Sequence, residues 1–274
     1  MTDLFSKQAE KYAEARPSYP AELFDFIASK TPRHGLVWDV GTGNGQAAVQ
    51  LEIFNSSIFT ILLAEIYKNV VATDVSRQQL NLAQKRPNIC YVHTPGSLSL
   101  SELHIDVAPP DSADLVTVAQ ALHWFDLPTF YEQVRSVLCK PHGVIAAWSY
   151  LEPTVDPAMD AVFGSLYNLS QPYWAPQRKI VDDRYRDLGF PFEPVQGEAS
   201  TGPFDFVTEK KMNLNLFLTY IRSWSAYQTA KEKGVEMLPD ETVADFRKAW
   251  GSDEEEVKTI KFPIFLKIGK IGAY

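Results

Sequence analysis

Residues 37 to 45 read Val-Trp-Asp-Val-Gly-Thr-Gly-Asn-Gly, and no other stretch limits the fold as strongly. The run Leu36-Val37-Trp38-Asp39-Val40 is short and mostly apolar, as expected of a strand buried on both faces of a parallel sheet. It stops at glycines, which reach positive φ freely and let backbone approach a ligand closely. From residue 46 onward the sequence has helical character. A strand that passes through a glycine turn into a helix is the repeating step of a sheet covered by helices on both faces.

The same alternation continues along the chain. Asn69 to Asp74 reads as a second strand, Ser76 to Lys85 as a helix capped by Ser76, and Ile89 to His93 as a third strand. Asp114 to Ala119 is a fourth strand, 127 to 139 a helix and Gly143 to Trp148 a fifth strand. Ahead of them, residues 5 to 15 place Phe5, Ala9 and Tyr12 on one helical face. The prolines of Arg16-Pro17-Ser18-Tyr19-Pro20 end that helix. A second helix buries Leu23, Phe24 and Ile27. Beyond 151 the pattern changes. Residues 151 to 185 are rich in Pro, Tyr and Trp and read as helices with loops, and 214 to 233 and 240 to 250 read as further helices. In the tail, Lys258 to Ile271, residues Ile260, Phe262, Ile264, Leu266 and Ile268 alternate, which suits an antiparallel strand at the edge of a parallel sheet. One domain spanning 1–274 with a helical insertion accounts for this order more simply than two independent domains.

Charge narrows what the glycine turn can hold. A dinucleotide fingerprint has its third glycine five residues after the first, but here that position is Gln46 and the third glycine is Gly45. Asp39 would also set an anion beside a pyrophosphate. A nicotinamide cofactor, and the oxidoreductase chemistry it implies, therefore fits less well than a ligand with cationic groups and no phosphate. The formal net charge is −8, and the longest charge run, Asp253-Glu254-Glu255-Glu256, is acidic. Nucleic-acid binders carry basic patches that replace phosphate counterions, so no nucleic acid is expected as partner. The apolar run 47 to 67 contains Glu52, Asn55 and Glu65, which are costly in a bilayer, so no membrane span is expected. The N-terminal residues lack the apolar segment of a secretory signal. Two cysteines, Cys90 and Cys139, are too few for a disulfide scaffold, and a cytoplasmic location is expected. The histidines 34, 93, 104, 123 and 142 show no ligand spacing, and no metal is expected.

Asp74 closes the second strand, where a carboxylate can accept both hydroxyls of a ribose. Taken with Asp39-Val-Gly41-Thr-Gly43, it resembles the class I methyltransferase pattern. Two further segments are similar to the methyltransferase type 11 group, which includes trans-aconitate methyltransferases and their plant and fungal relatives. They are Gln120-Ala121-Leu122-His123-Trp124-Phe125-Asp126 and Phe5-Ser-Lys-Gln-Ala-Glu-Lys-Tyr12-Ala-Glu-Ala-Arg16-Pro17-Ser-Tyr19-Pro20. Ser223-Trp224-Ser225-Ala226-Tyr227 also resembles that group.

The resemblance implies an α/β fold with a doubly wound, mostly parallel, seven-stranded sheet and S-adenosyl-L-methionine as cofactor. Its sulfonium and ammonium groups suit an acidic strand end. Residues 1–35 would be lid helices, 36–150 the cofactor-binding core, 151–250 a helical substrate-side insertion and 258–271 the C-terminal strand. Asp39, Gly41 and Gly43 would hold the methionine moiety and Asp74 the ribose, the segment Pro95 to Leu98 with Ser97 would lie against the adenine, and Thr42 and Val75 would also line the cofactor site. Many relatives carry an acidic residue in the loop after strand three. Here Gly96-Ser97-Leu98 stands there, leaving Ser97 or a backbone carbonyl for the adenine amino group. Gln120 would face the sulfonium and the methionine end. His123 and Trp124 would begin the acceptor side, and Tyr12, Arg16 and Tyr19 would fold over the cofactor, with Arg222 also on the substrate side. A binding module impaired in catalysis is the non-enzymatic alternative. A monomer or homodimer acting on a small molecule is the expected form.

One spacing departs from the pattern. Gly41 and Asp74 lie 33 positions apart, where about 20 is usual. Residues 52 to 63, with Asn55-Ser56-Ser57 inside an apolar run, are therefore read as an insertion. As for chemistry, a carboxylate acceptor is already ionised near neutral pH and needs no base. Arg16, Arg178 and Arg222 are candidates to hold it bidentately. A hydroxyl or amine acceptor would need a base, and His123 is the candidate.

Overall fold

The computed structural model describes residues 15–43 and 58–272. Residues 5–14 of the helix expected over 5–15, with Tyr12, the start of the helix from 46, and residues 52–57 of the expected insertion lie outside the described residues. The chain forms two compact units. One holds Ser18–Tyr150, Ile180–Phe206 and the chain from Ile264. The other holds the described N-terminal residues up to Pro17, Leu151–Lys179 and Val207–Pro263.

In the first unit, helix α1 (Ala21–Lys30) buries Leu23, Phe24 and Ile27, the face its spacing predicts. Strand β1 (Leu36–Val40) follows, and helix α2 (Ile58–Ile66) leads to β2 (Asn69–Asp74). Ser76 caps α3 (Arg77–Leu82) by accepting from the Gln79 N–H. Strand β3 (Ile89–His93) is followed by α4 (Leu100–Asp106), which opens with a capping box between Ser99 and Glu102. Then come β4 (Leu115–Ala119), a 3-10 turn (Leu122–Trp124), α5 (Leu127–Val137) and β5 (Val144–Tyr150).

Farther on lie α6 (Pro157–Ser170), α7 (Arg178–Asp182), β6 (Phe204–Met212), α8 (Leu214–Arg222), α9 (Ser225–Glu232), α10 (Asp240–Trp250) and β7 (Lys258–Lys270). The second unit has an aromatic core: Phe217 packs against Phe163, Phe246 and Trp250 with ring centroids about 6 Å apart.

The seven strands form one sheet in the order β3-β2-β1-β4-β5-β7-β6. Strands β1 to β5 are parallel, and β7 runs antiparallel to β5, from Val144 opposite Lys270 to Tyr150 opposite Ile264. The expected doubly wound, mostly parallel seven-stranded sheet is therefore present. Strand β6, which lies beyond β7, is one the sequence reading does not contain. Phe204, Phe206 and Thr208 alternate with the exposed Asp205, Val207 and Glu209, which leaves it only partly buried, so it lacks the continuous apolar run that marked the others. Every residue of β5 is buried, Ser149 included, and its first five residues, Val144 to Trp148, read as an unbroken apolar stretch for that reason.

The expected insertion needs correction. Residues 58 to 63 form the first part of α2, and Thr60, Ile61 and Leu63 are buried. Leu63, 2% exposed, also accepts the Tyr67 N–H that ends the helix. This half of the segment belongs to the core, despite the long spacing in sequence.

Candidate functional site

Parallel strands bring their carboxyl ends to one side, and in open α/β sheets that side binds ligands. The register places Val40 beside Thr73 and Val118, so the chain leaves β1, β2 and β4 at one level. The glycine turn starts there. Gly41 and Gly43 have φ of 66° and 65°, values that cost other residues energy. A Cβ on Gly41 would stand 2.8 Å from Cβ of Ala121, and one on Gly43 would stand 2.9 Å from Oε1 of Gln79. Gly41 is thus required by φ and by space, and Gly43 by φ, since the exposed Gln79 side chain can swing aside. The Thr42 N–H donates to the carbonyl of Thr73 at 3.0 Å, tying the turn to β2.

Asp74 joins three segments. Its carboxylate accepts the Gly43 N–H at 2.7 Å and the Ser76 N–H at 2.8 Å. Its carbonyl accepts the N–H of Thr94, in the loop after β3, at 3.0 Å. A carboxylate offers about four acceptor positions, so two remain for a ligand's hydroxyls. Val75, the next residue, is 61% exposed, an apolar surface at the rim. Ser97 is exposed in the following loop. The carbonyl of Leu98 accepts the side-chain N–H of Gln133 at 2.6 Å.

Asp39 lies deeper than an acidic residue facing a ligand would. It is fully buried. The Thr60 hydroxyl donates to its Oδ2 at 2.9 Å and the Thr117 hydroxyl to its Oδ1 at 3.0 Å. Burial pushes its carboxyl up to about 6, against the lowering effect of the Thr42, Thr60 and Thr117 hydroxyls. Thr42 and Thr60 are joined at 2.9 Å. Of this threonine shell only Thr42 was among the residues expected, and as a cofactor contact rather than a partner of Asp39. Thr117 could have been found by aligning β4 with β1, whereas Thr60 was hidden in the segment read as an insertion.

Gln120 follows β4 with φ 58°, its N–H donating to the carbonyl of Trp148 at 2.9 Å. Its side-chain Oε1 accepts the Ser149 hydroxyl at 2.6 Å, and the same amide reaches the Tyr19 phenol, which burial keeps from ionising. The Tyr19 ring meets Trp148 edge to face, with centroids 5.5 Å apart. In the 3-10 turn, His123 is half-buried and its ring lies 4.8 Å from that of Trp124, which is 57% exposed. The structure thus brings Gly41, Thr42, Gly43, Asp74 and the Gln120-Ala121 step to one place.

The three arginines belong to the other unit. Arg16 donates to the carbonyl of Ser223 at 2.7 Å and lies over the Tyr220 ring. Arg178 pairs with Glu152 at 2.7 Å and lies 4.7 Å from the Trp174 ring centre. Arg222 is exposed at the end of α8. Among the described residues no group of three or more His, Cys, Asp or Glu side chains could hold a metal, and no helix is long and apolar enough to cross a membrane.

The site fits the cofactor implied by its glycine turn. A cradle that a Cβ would fill adjoins a carboxylate with acceptor positions left, and an exposed apolar side chain follows that carboxylate in sequence. Comparison with known proteins agrees. Residues 38–147 match the sequence family described as "Methyltransferase domain". A Dictyostelium discoideum protein named as a methyltransferase is 32% identical over 98% of this chain and 95% of its own length. A Saccharomyces cerevisiae protein named as an S-adenosylmethionine-dependent methyltransferase is 27% identical over 80% of this chain and 79% of its own. The solved structure of a type II methyltransferase from Anaeromyxobacter dehalogenans superposes with a TM-score of 0.76 at 32% identity, covering 94% of this chain and 99% of that one. With the strand order, the glycine turn and similarity along nearly the whole length in agreement, the chain belongs to the class I S-adenosylmethionine-dependent methyltransferases.

Proposed function

We propose that this enzyme methylates a small molecule bearing a carboxylate, as the trans-aconitate methyltransferases it resembles do. The observation that carries the cofactor half of the reading is Asp74. It is anchored by Gly43 and Ser76 and still has acceptor positions for the two ribose hydroxyls. Gly41, Thr42 and Gly43 hold the methionine moiety through backbone. Val75 packs on the adenine, and Ser97 and Leu98 border it. His123 and Trp124 begin the acceptor side, with Tyr19 as a further substrate-facing residue.

Bound in this cradle, the cofactor supplies a methyl group on a sulfonium whose departure leaves a neutral thioether. Little acid catalysis is then required of the protein. Its task is alignment, and holding two reactants in register can contribute roughly 7–11 kcal/mol. A carboxylate is ionised near neutral pH, so the acceptor needs orientation and shielding from water rather than deprotonation.

The test is calorimetric titration with S-adenosylmethionine and S-adenosylhomocysteine, with Asp74→Ala as control, followed by a panel of carboxylic, phenolic and amine acceptors. Micromolar binding lost in Asp74→Ala, with turnover on carboxylates, is the expected result. A well-folded protein that binds neither compound overturns the site assignment. Turnover confined to phenols or amines overturns the acceptor class.

A further inference from the structure

Strand β6 lies at one edge of the seven-stranded sheet, with β7 on one side and no strand of the described residues on the other. An open edge leaves a row of backbone N–H and C=O groups without ladder partners, and proteins blunt such edges with short strands, prolines or bulges. β6 is an unbroken strand of nine residues without a proline, where about five or six residues is usual. Its inner face is engaged within the chain. Phe204 and Phe206 meet the Phe26 ring of α1 at 5.3 and 5.7 Å. Thr208 and Met212 are buried, and Lys210 donates to the carbonyl of Arg16 at 2.7 Å. The outer face presents Asp205, Val207, Glu209 and Lys211, all exposed. Glu209 pairs with Lys261 of β7 at 3.7 Å. Asp205 and Lys211 make no hydrogen bond or ion pair with any described residue.

The order of these charges is complementary to itself. Residues directly opposite in an antiparallel pair share a face, so unlike charges attract there and like charges repel. When two copies of β6 run antiparallel about a two-fold axis at Thr208, Asp205 of each copy faces Lys211 of the other. Val207 then faces Glu209, and Phe206 faces Lys210. With the axis at Val207 instead, Asp205 would face Glu209. With the axis at Glu209, that carboxylate would face its own copy. A polar edge by itself fixes register weakly, and here the charges favour the axis at Thr208 over its neighbours. A two-fold contact uses the same patch on both subunits and so requires a surface that matches itself. We infer that β6 is a docking edge for a second copy of this chain, joined antiparallel about Thr208 into one continuous sheet, with two Asp205–Lys211 pairs setting the register.

The test is sedimentation velocity over a concentration series, with a thermal melt on each protein. The samples are the wild type, Asp205→Lys, Lys211→Asp, the double exchange of both, and a one-to-one mixture of the two single variants. The wild type should form a dimer that dissociates on dilution. Each single substitution sets like charges opposite at two places and should raise the dimer dissociation constant by about tenfold or more. The double exchange should restore the dimer, because lysine and aspartate only trade places. The mixture should restore it too, since one partner then carries lysine at both positions and the other aspartate at both. A wild type that stays monomeric at every concentration would overturn the inference. A dimer equally stable in both single variants would also overturn it, by placing the contact on another surface. Single variants that lose the dimer without regaining it on mixing, or on double exchange, would do the same. Were one single variant to melt early, the double exchange decides.

Discussion

The Thr60 hydroxyl donates to the buried carboxylate of Asp39 at 2.9 Å, joining helix α2 to strand β1 across 21 positions of sequence. Thr117 donates to the other oxygen, so the carboxylate is hydrogen-bonded on both sides but has no cation beside it among the described residues.

Because burial holds the Asp39 carboxyl up to about 6, the fold favours its protonated form. The stability this contributes is fully present below the ordinary carboxylate range and is lost as pH rises through about 6. Asp39→Asn does not titrate. Wild-type stability should therefore fall relative to the variant between pH 4 and pH 7, by about 3 kcal/mol at most. Urea denaturation of both proteins at pH 4, 5.5 and 7 measures the difference. A gap that stays constant with pH, or moves the other way, would count against the assignment. Thr60→Val removes one lowering hydrogen bond and should move the midpoint of the change upward.

Leu63 lies in the segment the spacing marks as inserted, yet it is buried in α2. Leu63→Ala should destabilise the protein by about 2–5 kcal/mol, as core truncations do. Were the segment a dispensable excursion, the melting temperature would hardly move.

Gly41→Ala meets two obstacles. The left-handed backbone costs about 1–2 kcal/mol, and the new methyl group presses on Ala121 at 2.8 Å. Cofactor affinity should drop at least about tenfold, and adding Ala121→Gly should recover only the part due to crowding. Full recovery in the double variant would mean that φ at this turn is unimportant.

His123 borders the acceptor side, but a carboxylate acceptor requires no base. His123→Ala should keep kcat within about tenfold of the wild type. A loss above about a thousandfold would make the imidazole a general base and point to a hydroxyl or amine acceptor.

The parallel core was legible because its strands announce themselves. Leu36–Val40, Asn69–Asp74 and Leu115–Ala119 are short apolar runs ending at a glycine, an aspartate or a turn. Asp74 and the glycines could be placed from order alone. The Ser76 cap was read because a serine before a helical run has few other roles. What the sequence could not disclose were pairings fixed only by folding: Thr60 and Thr117 on Asp39, and Ser149 on Gln120. Hydroxyls leave no periodic signature, and their partners lie 21, 78 and 29 positions away. Strand β6 escaped for another reason: its polar face is as prominent as its apolar one.

The Asp74 carboxylate binds Gly43 and Ser76 through backbone N–H groups, so the turns after β1 and β2 are drawn together in the folded chain itself. The conformational entropy of ordering them is lost during folding, not when a nucleoside arrives. A ligand that meets a rim already shaped for it can associate at a rate set by diffusion and orientation, with no wait for a loop to close. The same economy makes this aspartate a shared dependency: a change there loosens the scaffold and the ligand together.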